Sequence, residues 1–64
     1  MTIEKLLNNA IENAQRRFES VEMELKVTTK PEHREALMLI YQERHGALNA
    51  LADLRSELIG RGLL

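Results

Sequence analysis

The sequence predicts an all-α fold: an antiparallel two-helix hairpin that pairs with a second copy into a four-helix bundle. Three observations predict it. Apolar residues recur at heptad spacing in both halves of the chain. The only proline, Pro31, lies almost at the midpoint, where it stops an incoming helix. The second half also carries more apolar surface than one partner helix covers, so a second hairpin has to supply the rest.

The first helix is predicted over about 3–27, with Thr2 as its N-cap. Its stripe is Leu7, Ile11, Ala14, Phe18, Val21 and Leu25, in steps of 4, 3, 4, 3 and 4. Asn9, Glu12, Arg16, Glu19 and Lys26 occupy the other side, and Met23 falls among the polar positions. Glu12–Arg16 and Glu22–Lys26 are i,i+4 pairs in the favourable order. Phe18, the only phenylalanine, sits mid-stripe. Its truncation is expected to cost about 3–5 kcal/mol.

Residues 28–30 form the hinge. Two signals compete for the next boundary: Pro31 as the first helical residue, and Thr29 with Glu32 as a capping box. The second helix is predicted over about 31–59, ending at Gly60 as a left-handed stop, with a short tail at 60–64. Its best apolar stripe is Leu37, Ile40, Arg44, Ala47, Leu51, Leu54 and Leu58. Arg44 stands where an apolar residue belongs, and Gly46 lies beside it. The short hinge forces the helices antiparallel. Leu25 then falls near Leu37, Phe18 near 40–44, Ala14 near 44–47, and Leu7 near 51–54. The run Ala36–Tyr41 spans more than a helical turn, so one seam cannot cover it. Met38, Leu39, Tyr41, Leu48, Leu63 and Leu64 are left for a second hairpin to bury.

Composition narrows the class. Sixty-four residues make one domain. A net charge of −1 gives no general field for nucleic acid or anionic membrane. No cysteine is present, which excludes disulfides and thiolate zinc sites. The opening "MTIEKLLNNAIENAQ" lacks a basic region and a long apolar core, so no signal peptide is expected. The apolar run is too short for a bilayer. The expectation is a soluble, cytoplasmic protein. Below about 70–80 residues a lone core supplies only ~3–5 kcal/mol. Association is the staple that remains.

Little here resembles chemistry. His33 and His45 are twelve residues apart, roughly 18 Å along a helix, and neither stands in a Glu-x-x-His pattern. No metal, cofactor or catalytic set is predicted. The hydroxyls lack a glycine-rich turn that would expose a nucleophile. Lys26, Lys30, His33 and Arg34 gather at the hinge, but Glu24, Glu32 and Glu35 are interleaved with them. That pattern reads as a solvated, charge-balanced turn.

Residues 30–52, "KPEHREALMLIYQERHGALNALA", carry a resemblance. In shape the chain resembles the small helical-hairpin proteins that phages encode to bind or block a host factor. One such group sequesters cyclic oligonucleotides. The aromatic-Ala-Asn segment of that group would fall near residues 46–48 and is absent. The first reading is a non-enzymatic homodimer that binds a protein partner through Met38, Tyr41, Arg44, His45 and Leu48. The alternative is a binder of a small anionic ligand such as a nucleotide, using Arg44, His45 and Tyr41 with Arg34 or Lys30. In "ERHG", residues 43–46, Arg44 is expected as a partly buried charge that fixes pairing. Gly46 is expected to admit a close backbone approach.

Overall fold

The computed structural model describes residues 2–64 as two helices, α1 (Ile3–Val27) and α2 (Pro31–Gly60). They lie antiparallel in a slab of 47 × 19 × 12 Å. Thr2 is extended, and its Oγ1 accepts the Lys5 N–H at 3.2 Å, satisfying one orphan donor of the first turn. At the far end the Thr28 N–H donates to the Glu24 carbonyl at 3.0 Å. Thr28 itself has left helical geometry.

Pro31 sets the second boundary, and the capping box does not form. The N-cap is Lys30, extended at φ −75° and ψ 124°, with no side-chain cap bond. A cap at Thr29 would place Lys30 inside the helix directly before proline, where the ring clashes with helical backbone. Proline at the first helical position avoids this and loses no hydrogen bond. One turn further on, Arg34 Nη1 reaches back across the hinge. It donates to the carbonyl of Leu25 at 2.6 Å and to that of Thr28 at 3.1 Å. A cation thus closes the carbonyl end of α1, where the helix dipole favours it.

The C-terminal stop differs from expectation by two residues. Gly60 is still helical, and Gly62 takes the left-handed conformation at φ 73°. The Leu63 N–H bonds the Leu58 carbonyl at 2.9 Å and the Gly62 N–H bonds the Ile59 carbonyl at 3.0 Å. This is the Schellman pattern, closed one turn around Arg61. Either glycine of Gly-Arg-Gly could serve, and the later one extends α2 by two residues. The tail is therefore a cap that folds back, with Leu64 half-buried.

On α1 every predicted seam residue is buried or half-buried. On α2 the seam is rotated. Its half-buried members are Leu37, Tyr41, Arg44, Leu48, Leu51 and Leu58, while Ile40, Ala47 and Leu54 are exposed. The predicted stripe was right at alternate positions and one residue short at the others. Aromatic packing explains the choice. Tyr41 lies 4.8 Å from Phe18, ring centre to ring centre, a contact that Ile40 could not make. At the open end Arg55, next in the same series, donates from Nε to Asn8 Oδ1 at 3.2 Å. Tyr41 and Leu48 thus belong to the hairpin and are not left over.

The seam is thin. Among the described residues only Leu7 and Val21 are buried, and each keeps 6–8% of its surface exposed. The Glu12–Arg16 pair forms at 3.2 Å but is largely solvated, so it contributes a few tenths of a kcal/mol. Among the described residues Glu22–Lys26 does not form an ion pair. Among the described residues no helix is long and apolar enough to cross a membrane.

Two measurements check this description. Arg34→Ala should lose about 1–2 kcal/mol in urea unfolding, because two carbonyls lose a charged donor. Arg34→Lys should recover only part of it, having no planar fork. Phe18→Ala should cost about 2–4 kcal/mol, towards the low side of the aromatic range because the ring is half-buried. A loss below about 1 kcal/mol would contradict the assigned seam.

Candidate functional site

Each flank of the seam presents a face, and the two faces differ in kind. On one side an open groove of about 330 Å³ runs between the helices, its walls including Ala10, Ala14, Ala47 and Leu51. Its charged members are Arg17, Glu43 and Arg44. Four small or apolar residues make a floor that no side chain of the same hairpin fills. On the other side a shallower hollow near the hinge is lined by Glu22, Leu25, Lys26, Arg34, Met38 and Tyr41.

Above that second hollow sits a three-ring cluster. Phe18 lies 4.8 Å from Tyr41 and 5.4 Å from His45. Tyr41 and His45 stack nearly parallel at 6.3 Å, with an interplanar angle of 9°. Tyr41 and His45 are i,i+4 neighbours on one face of α2, and the hairpin register brings Phe18 beneath them. The sequence places Tyr41 and His45 on one candidate surface but does not join Phe18 to them. The visible signal was aromatic-x-x-x-His opposite the only phenylalanine.

The five residues singled out from the sequence do not form a single patch. Met38 is 42% exposed and borders the second hollow with Tyr41. His45 is exposed beside the rings. Leu48 is half-buried in the seam, and Arg44 turns to the alanine-lined groove on the opposite flank. Arg34, a candidate anion ligand, is already engaged with main-chain carbonyls.

The interruption "ERHG" resolves into separate parts. A Cβ built on Gly46 meets nothing within 4 Å, so no close approach depends on this glycine. The expectation of a tight contact there is corrected: Gly46 lies on the outer side of α2, about half a turn from the seam at ~100° per residue. Arg44 is half-buried, and among the described residues it makes no hydrogen bond or ion pair. Glu43 cannot serve it within the chain, because successive helical side chains diverge by about 100°. Gly46→Ala should therefore raise stability by about 1 kcal/mol, the propensity difference alone. Arg44→Leu should be neutral or stabilising by up to about 2 kcal/mol. Thermal and urea unfolding of both variants check this, and a loss at either position would contradict the placement.

Among the described residues no group of three or more histidines, aspartates or glutamates converges as a metal site. No protein-family model matches the chain, and no curated protein or solved structure matches it.

Proposed function

We propose that this chain is a non-enzymatic interaction module: a hairpin that self-associates into a four-helix bundle and binds a protein partner. The observation that carries the reading is the imbalance between core and surface. Among the described residues two side chains, Leu7 and Val21, are buried, while Ile3, Leu6, Leu39 and Leu54 stand 44–69% exposed. A single core of this size supplies too little free energy to hold two helices of this length in register. A second hairpin against the groove converts that exposed area into core.

The opposite face then remains for a partner. Met38 supplies an adaptable apolar contact. Tyr41 and His45, held over Phe18, supply rigid aromatic edges, a residue type that interfaces favour. Arg44 and Leu48 belong in this reading to the bundle interior. The small-anion alternative draws less support, since Arg34 is engaged at the hinge and Arg44 and His45 lie on opposite flanks.

Sedimentation equilibrium over micromolar concentrations should give twice the 7.4 kDa of one chain. The melting temperature should rise with protein concentration, because unfolding and dissociation are coupled. A monomer at every concentration, with a concentration-independent melt, would contradict the reading.

A further inference from the structure

The rotation of the α2 seam leaves a second heptad series beside it. Ala36, Ile40, Glu43, Ala47, Ala50 and Leu54 follow in steps of 4, 3, 4, 3 and 4, and all six are exposed. On α1 the series Ile3, Leu6, Ala10, Asn13 and Arg17 follows in steps of 3, 4, 3 and 4, and its last three members line the groove that Glu43 and Ala47 also line. Both series are apolar or small towards the open end of the hairpin. Each carries its first charge at the middle, Arg17 on one helix and Glu43 on the other, at the same level of the hairpin. Both side chains border the groove, yet among the described residues neither joins an ion pair.

We propose that a second copy docks on this face with the two hinges at the same end, so that Arg17 of each copy pairs with Glu43 of the other. The inference rests on the self-association reading and adds to it the face, the orientation and the specificity pair. Three arguments carry it. A two-fold axis parallel to the helices lays α1 of one copy over α2 of the other, which makes the contact reciprocal. Each Arg17 then meets a Glu43, giving two ion pairs from one complementarity. The same operation sets Leu6 (55% exposed) against Leu54 (44% exposed) twice, at the open end. The opposite orientation, with hinges apart, would lay Leu6 over Glu24 of the other copy and discard the match. The face is also large enough. At 47 × 19 Å it offers on the order of 900 Å² per copy, against about 800 Å² for a stable interface of standard size. Alanines at 10, 47 and 50 let the backbones approach closely across it.

Charge reversal tests the pair. Arg17→Glu or Glu43→Arg alone places two like-charged contacts in the homodimer, and each should weaken dimerisation about tenfold or more. Mixing the two variants restores both attractive contacts, so a heterodimer of near wild-type affinity should form. The double variant R17E/E43R should recover homodimerisation, which also shows that the substitutions are compatible with folding. A spin label at Thr29→Cys, a unique cysteine in this chain, reports the orientation. Hinges at one end place the labels within about 25 Å of each other, and hinges at opposite ends place them near the 47 Å length of the slab. A wild-type monomer would overturn self-association itself. A wild-type dimer would overturn this pairing alone if both single variants dimerise normally, if the mixture shows no preference, or if the labels lie far apart.

Discussion

Two helices in antiparallel contact touch along one line, so each can shelter one heptad stripe and must leave the rest of its surface to something else. Everything in this hairpin follows from which stripe α2 gives to that line. Tyr41 and Leu48 enter, Ile40, Ala47 and Leu54 stay out, and the exposed set becomes a series of its own. The selection is made by aromatic packing at Phe18 and by the Arg55–Asn8 hydrogen bond. Both are short-range interactions that an aliphatic side chain at 40 or 54 would forfeit. The hairpin thus uses its chemically specific contacts inside and leaves simple apolar area outside.

The hinge makes that selection possible. Pro31 fixes its own backbone and restricts Lys30, so three residues suffice to reverse the chain. Arg34 then ties the last carbonyls of α1 to the first turn of α2. A clasp between the end of one helix and the start of the next limits sliding, and a seam that buries only Leu7 and Val21 among the described residues has little else to resist it. Register here is set at one end and propagated along the helices, and the aromatic cluster near the middle checks it.

Much of the fold was legible. The α1 stripe, the position of the hinge and the antiparallel register follow from heptad spacing and one proline; only the first residue of α2 was contested, between Pro31 and the Thr29–Glu32 capping box. The α2 seam was half legible. Two stripes one residue apart both satisfy heptad spacing, and apolarity alone prefers Ile40 to Tyr41, whereas the ring contact with Phe18 exists only after the helices meet. Gly46 misled for a related reason: a glycine beside an arginine suggests close approach, but only the orientation of α2 shows that it faces outward. Gly60 and Gly62 were indistinguishable by type, and the positive φ falls on the second. Of the candidate surface, Met38 and His45 were placed on the exposed side, while Arg34 could not be recognised as a clasp without knowing where the carbonyls of Leu25 and Thr28 point.

The functional account joins these layers. A hairpin with a thin seam, a continuous exposed series on one flank and a ring cluster on the other fits the assembly and recognition proposed for it. The central claim is that the inner seam closes within one chain and the outer series closes between chains. Isotope-filtered NMR on a mixture of labelled and unlabelled protein separates the two directly. The account predicts contacts within one chain from Phe18 to Tyr41 and His45, together with contacts between chains at the Ile40 and Leu54 methyl groups. Contacts between chains at Tyr41 and Leu48, with Ile40 and Leu54 free in solvent, would contradict it.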